Sequence, residues 1–259
     1  MMNQFNLTLL MKTIQIAGLV LVILATISFL LTSCSKDNLP KSTGKIITIT
    51  RIVEGNFTKI ELNDDVNLVL TQGNTYSISI EGGENILPGI ETSISDSTLT
   101  IRNNNTFNWL RSYDKKFTAF VTMPHLFELE YKATSNVTNN DTIREDSLTV
   151  LSSAGSGYID LAIRVGTSKL GITSGSADLK VRGKTGVCYL YTGSYGPIHC
   201  LDLETDFLFM RSESTNDSYV NVKQHFEYEI SGLGNIYYKG NPPEITGTST
   251  SSGKAIKYN

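Results

Sequence analysis

Beyond residue 44, apolar and polar residues alternate with a period of two along most of this chain. Ile47, Ile49 and Arg51 fall on one side of a segment, and Thr48, Thr50 and Ile52 on the other. Tyr76-Ser77-Ile78-Ser79-Ile80 alternates without a break. Such alternation predicts half-buried strands. Similar runs lie at residues 57–62, 66–70, 90–94, 99–102, 117–123 and 126–131. Turn-forming clusters separate them, among them Glu54-Gly55-Asn56, Asn63-Asp64-Asp65, Gln72-Gly73-Asn74, Gly82-Gly83 and Ser95-Asp96-Ser97. Helical periodicity hardly occurs, so the expected fold class is all-β.

From Leu148 to Pro242 the pattern becomes repetitive. Short β-type runs are punctuated by clusters of tiny residues: Ser153-Ala154-Gly155-Ser156-Gly157, Ser174-Gly175-Ser176-Ala177-Asp178 and Thr192-Gly193-Ser194-Tyr195-Gly196. A degenerate cluster follows at residues 212–217, and the last is Ser231-Gly232-Leu233-Gly234-Asn235. The clusters recur about every twenty residues, the length of one rung in a solenoid. A single rung cannot bury its apolar side, whereas stacked rungs share one core. The small residues then read as corners where a side chain would clash. The Thr/Ser/Gly-rich tail from Glu244, ending in Ala255-Ile256-Lys257-Tyr258, is expected to close the last rung.

The first 33 residues read differently. Lys12 precedes an almost continuous apolar run from Ile14 to Leu31, and Leu31-Thr32-Ser33-Cys34 matches a bacterial lipobox. Met11-Lys12 would be a more usual start for such a leader. An N-terminal membrane-spanning anchor is the alternative, because the apolar run is about long enough to cross a bilayer. Residues 1–33 are therefore expected to be a lipoprotein signal peptide, with Cys34 as the lipidated first residue of the mature chain. Residues 34–44 would be a tether and residues 45–259 the folded domain. Lys36-Asp37 resembles the charged tether that sends some Gram-negative lipoproteins to the outer surface. The expected location is thus the outer membrane, facing the periplasm or the cell surface, with the membrane as partner through Cys34.

Composition narrows the partners. The chain carries 22 Lys and Arg against 25 Asp and Glu, a formal net charge of −3, and no basic stripe, which argues against a nucleic-acid partner. Cys188 and Cys200 are the other cysteines. In an oxidising envelope they could pair, or they could be two small apolar residues in separate strands. Asp160, Asp178, Asp202, Glu204 and Asp217 lie near the corners, with Lys180, Arg182 and Lys184 close by. Stacked rungs could gather some of these acids into a polysaccharide-cleaving site, or each could be a solvated edge residue. His125, His199 and His225 show no ligand spacing, so no metal site is expected. Residues 153–157 lie between strands and not at a strand-to-helix elbow, and Gly232-Leu233-Gly234 opens no helix. Neither a catalytic residue nor a cofactor is expected. Trp109 sits in a longer loop, as a sugar-stacking platform or folded back on a sheet edge. Asp96-Ser97-Thr98, Asp141-Thr142-Ile143 and Asp146-Ser147-Leu148 resemble envelope O-glycosylation sites at Ser97, Thr142 and Ser147.

Segments across residues 57–258 resemble the autotransporter adhesin head GIN domain family. The sharpest is Ser231-Gly232-Leu233-Gly234-Asn235-Ile236-Tyr237-Tyr238-Lys239-Gly240-Asn241-Pro242, which is similar to the family's Gly-x-Gly-x-Ile-x-Tyr-x-Gly-x-Pro element. Ser252-Gly253-Lys254 resembles its closing piece, residues 57–62 and 66–73 its opening, and Val121-Thr122-Met123-Pro124 its middle. Tyr195-Gly196-Pro197 and Glu213-Ser214 depart from cleaner Gly-Ser-Gly steps, which puts the regularity of those rungs in question. The resemblance implies a right-handed parallel β-helix with an irregular N-terminal β portion, on a cell-envelope lipoprotein with no catalytic residues to transfer. The expected function is adhesin-like binding of a glycan or an envelope protein on a polar face. Tyr189, Tyr191, Tyr195, Tyr219 and Trp109 are the candidate contacts, and a polysaccharide lyase or glycosidase is the alternative.

Overall fold

Each long strand of the repeat region carries alternating inward residues, and the register between rungs stacks like on like. In the computed structural model the described residues are 43–105 and 117–258, with residues 17, 18 and 21 in a separate N-terminal unit. The lipobox, Cys34 and Trp109 lie outside the described residues. Among those described, no helix is long and apolar enough to cross a membrane. The fold is an all-β solenoid of about six turns.

The N-terminal strands are β1 (Ile46–Arg51), β2 (Lys59–Asp64), β3 (Val66–Gln72), β4 (Ser77–Gly83), β5 (Ile90–Ser95), β6 (Thr98–Asn103), β7 (Phe117–Met123), β8 (Glu128–Ala133) and β9 (Val137–Asn139). The repeat region continues as β10 (Ile143–Ser152), β11 (Tyr158–Ile172), β12 (Asp178–Thr192), β13 (Ile198–Ser212) and β14 (Ser218–Ile230). The tail adds β15 (Ile236–Lys239), β16 (Glu244–Ser249) and β17 (Ala255–Lys257). The tail does close the last rung: β16 pairs with β14 and β17 with β15, all parallel.

The spacing of the Gly/Ser clusters predicts short separate strands in the repeats, whereas β11, β12 and β13 each run unbroken for 15 residues. The chain bends within each strand without leaving the ladder. In β11 the inward phase slips at Gly166-Thr167, so Ile159, Leu161, Ile163 and Val165 point into the core from one stretch, and Ser168, Leu170 and Ile172 from the next. Both sides of every rung therefore feed one interior. Leu170, Leu190 and Met210 stack in register inside one side, and Ile159, Leu179 and Ile198 inside the other. Burying one such side chain stabilises the fold by roughly 1.5–3 kcal/mol, and a parallel ladder repeats that gain at every rung.

The N-terminal strands are irregular, as expected, but their order is not sequential. β2 lies between β6 and β8, and β3 between β7 and β9, all parallel. The chain thus lays down an internal rung first, builds outward, and returns on the other side of it. β1 and β7 flank β4 antiparallel, and β5 pairs antiparallel with β6 through a turn at Asp96 (φ 51°) and Ser97 (φ 59°). Positive φ at both central residues is the hallmark of the tight hairpin turn that matches strand twist. Ser97 is accordingly exposed, as is Ser147, while Thr142 is half-buried.

The departing corners prove regular in part. Beyond Glu213-Ser214 the register keeps its spacing, Ile198 facing Ser218. Pro197 brings Ile198 opposite Leu179, one residue early, and the shift is recovered between Lys180 and Gly183. Gly183 bends there at φ 113°, in the left-handed region that favours glycine. A larger irregularity lies inside a ladder: between Cys200 and Phe207 the β13–β14 register slips twice, and Asn221 spans the gap by donating to the Leu201 carbonyl at 3.0 Å.

Cys188 and Cys200 are both free and buried, so the disulfide considered for them is not made. Burial pushes the Cys188 thiol up to about 12, with a hydrogen bond from Ser168 opposing, and raises Cys200 through burial first and the neighbouring Cys188 second. Tyr131 is buried in the first corner, accepts the Gly157 N–H at 3.0 Å, and donates to the Ser135 carbonyl. Burial foremost raises its phenol from 10.0 to about 12.

Two outcomes are expected. A Cβ on Gly234 would sit 2.1 Å from the Asn216 carbonyl oxygen of the previous rung. Gly234→Val should therefore lower stability by about 3 kcal/mol, measured by thermal unfolding, independently of any ligand. Second, the folded state holds protons on Cys188 and Cys200 that the unfolded chain releases at lower pH. Their contribution is complete below the ordinary thiol value of 9.0 and is lost as pH rises towards 12, at about 1.4 kcal/mol per pH unit per thiol. Denaturant midpoints should fall over that range, and Cys188→Ala/Cys200→Ala should flatten the fall between pH 9 and 10, before Tyr131 contributes.

Candidate functional site

Strand alternation also builds the outer surface, because residues that face out on successive rungs line up in columns. On one side of the solenoid, Lys169, Tyr189, Phe209, Glu227 and Thr246 stand in register on β11, β12, β13, β14 and β16. Two residues along, Leu151, Gly171, Tyr191, Arg211, Glu229 and Thr248 form a parallel column. The two columns are the walls of an open groove of about 700 Å³. Its length runs across the strands, so a ligand lying in it would span several rungs.

The groove has an aromatic wall and a charged wall. Tyr189 stacks on Phe209, with ring centroids 5.3 Å apart and planes within 18°. Tyr189 is 47% exposed, so its ring is open to a partner. Opposite, Tyr191 donates to the Glu213 carboxylate at 3.2 Å, and Arg211 pairs with Glu213 at 2.8 Å and with Glu229 at 3.9 Å. Partial burial, then the hydrogen bond to Glu213, raises the Tyr191 phenol, so it remains a neutral donor at physiological pH. A flat apolar surface thus faces fixed donors and acceptors, the combination used by sites that orient small polar ligands.

The candidate contacts separate. Tyr189 and Tyr191 lie in the groove. Tyr195 is at a corner, 68% exposed. Tyr219 is on the side formed by the first halves of the long strands, in a second aromatic column: it stacks on His199 at 5.7 Å and on Tyr237 at 5.2 Å, with Tyr258 edge-on at 5.9 Å. Residue type alone does not single out Phe209, Arg211, Glu227 and Glu229. The available signal is the rung repeat, since Phe209 and Arg211 follow Tyr189 and Tyr191 by one register step.

The acids weighed for catalysis do not come together. Asp160 is held by Arg182 and by Lys180 at 3.6 Å. Glu204 lies between Lys184 at 3.2 Å and Lys223 at 3.3 Å, and hydrogen bonds from these lysines hold its carboxyl below the usual range. Asp178 faces His199 at 3.6 Å, and Asp217 accepts the Asn235 N–H at 2.7 Å. Asp202 is exposed, and none of the five lines the groove. Among the described residues no three His, Cys, Asp or Glu side chains gather as a metal site.

Known proteins share this architecture. A putative adhesin from Bacteroides fragilis is similar at 23% identity, over 83% of this chain and 97% of that one, with a TM-score of 0.76. A putative adhesin from Parabacteroides distasonis matches at 18% identity over 83% and 98%, TM-score 0.66. A second protein of that organism, described as a putative lipid binding protein, matches at 18% over the same shares, TM-score 0.65. At these identities the likeness shows the fold. No curated protein matches the chain. The model of the family described as "putative auto-transporter adhesin, head GIN domain" matches residues 56–242, and the chain belongs to that family.

Proposed function

We propose that this chain is a non-catalytic, adhesin-like lipoprotein of the bacterial envelope that binds a glycan chain in the groove between its Tyr189 and Tyr191 columns. The observation that carries the ligand class is the exposed Tyr189 ring, stacked on the half-buried Phe209 and facing Arg211 and Glu229 across the groove. Pyranose rings present flat C–H faces that lie on aromatic rings, and their hydroxyls pair with fixed carboxylates and guanidinium groups. An extended saccharide suits a groove that crosses rungs about 4.8 Å apart. Polysaccharide cleavage is the weaker reading, because Asp160, Asp178, Glu204 and Asp217 are separately partnered, Asp202 is solvent-exposed, and none of them lines the groove.

Anchoring follows from the lipobox at residues 31–34, with acyl chains on Cys34 holding the solenoid at the outer membrane of a Gram-negative cell. Family membership and relatives in Bacteroides and Parabacteroides support an envelope setting.

Two experiments test this reading. On a broad glycan array, the full-length protein in detergent should bind a defined set of oligosaccharides. Tyr189→Ala and Phe209→Ala should each weaken the best of them by about tenfold, ~1.4 kcal/mol, while Tyr195→Ala leaves binding unchanged. Unaltered binding by both groove variants, or no glycan bound at all, would remove the groove from the proposal. Separately, the wild type should incorporate radiolabelled palmitate and migrate without residues 1–33, whereas Cys34→Ser should take up no label and keep the apolar leader. An unlabelled wild type that keeps residues 1–33 would point to the uncleaved apolar segment as the anchor.

A further inference from the structure

A second surface feature lies away from the groove, where each rung bends between its two sides. Arg144 on β10, Arg164 on β11 and Lys184 on β12 are paired in register, one directly above the next. All three are exposed. They line a recess of about 320 Å³ with Thr142 at one end, Gly183 in its wall and Glu204 at the other end.

This arrangement is electrostatically costly on its own. Neighbouring strands lie about 4.8 Å apart, and like charges facing one another across a ladder repel. Elsewhere on the molecule such charges are answered: Arg182 is held by Asp160, Lys132 by Glu130 and Glu61, and Lys59 by Glu128. Here Glu204 is the only acid among the described residues that lines the recess, and it is shared between Lys184 and Lys223. Among the described residues, neither the Arg144 nor the Arg164 guanidinium meets a hydrogen-bond acceptor or a carboxylate. The Arg144 backbone is nevertheless pinned on both sides by Gln72, whose side chain accepts the Arg144 N–H at 2.8 Å and donates to its carbonyl at 3.1 Å. Two unanswered arginine side chains thus branch from backbone positions fixed at rung spacing, on a chain whose overall charge is negative.

Guanidinium groups offer paired N–H donors in a planar fork that matches the oxygens of sulfate and phosphate, and charge-assisted bonds of this kind are the strong ones. We propose that the Arg144–Arg164–Lys184 strip is a binding site for a polymer carrying sulfate or phosphate esters, with successive rungs engaging its oxyanions. The site is independent of the groove: no residue lines both recesses.

Three probes test it on the full-length protein in detergent at near-physiological salt: dextran sulfate, dextran phosphate and uncharged dextran, each immobilised for interferometry. The wild type should bind one or both of the anionic polymers and not dextran, and the polymer preferred identifies the ester. Arg144→Gln/Arg164→Gln should weaken that binding tenfold or more with an unchanged melting temperature, since both side chains are exposed. Lys239→Gln/Lys254→Gln removes the same net charge at the far end of the solenoid and should leave binding within twofold. Absence of binding to both anionic polymers, an unaffected Arg144/Arg164 variant, or equal loss in the two double variants would each overturn the proposal. Because Tyr189→Ala leaves this strip intact, it should bind the preferred anionic polymer as the wild type does, which separates failure here from failure of the groove.

Discussion

Every rung of this solenoid must present the same phase to its neighbour, and most other features follow from that constraint. A parallel ladder satisfies backbone hydrogen bonds only when each strand lies flat on the next. A residue that points inward therefore sits over another that points inward. Leu170, Leu190 and Met210 share one interior column for this reason. The corners obey the same rule more severely. At Gly234 the backbone of one rung lies so close to the Asn216 carbonyl below that no side chain fits between them. The tiny residues are where the stacking distance, and not a ligand, dictates chemistry.

The same constraint turns a sequence interval into a surface stripe. Tyr189 with Phe209, His199 with Tyr219, and Arg144 with Arg164 are each neighbours because they are about one rung apart. A solenoid can thus carry several distinct strips on one scaffold: an aromatic groove, a second aromatic column and a cationic recess. They occupy different parts of the rung and can be altered separately. None needs a loop to create it, so their geometry is as rigid as the ladder.

Much of the repeat architecture is legible in the order of residues alone. The Gly/Ser clusters mark the corners, alternation marks the strands, and the tail is recognisable as the closing rung. The groove is half legible. Tyr189 and Tyr191 stand out as aromatic residues, but finding their partners requires the register. That register slips between β13 and β14, so Glu227 and Glu229 do not fall at the regular interval. Residue type groups Tyr219 with them, although a corner sends it to another side. The N-terminal order is not legible. β2 meets β6 and β8 across long stretches of chain, and no local pattern encodes which distant strands will lie on either side of it. Alternation specifies that a segment is a strand and which face is apolar, not whom it pairs with.

That interleaved order bears on how the molecule is assembled as it emerges from a ribosome or a translocation channel. A sequential solenoid could grow from its first rung, each new strand docking on a finished edge. Here β2 and β3 come out early yet require neighbours on both sides, and the second pair of neighbours, β8 and β9, ends only at Asn139. Contacts this distant in sequence carry a high loop-closure cost and form slowly. Even after β6 and β7 have docked, the other edge of β2 and β3 stays unpaired until more than half of the chain is available. A nascent chain halted before Asn139 would leave two unpaired strand edges open to any other strand nearby, which makes the transit of this segment the most hazardous moment in the protein's biogenesis.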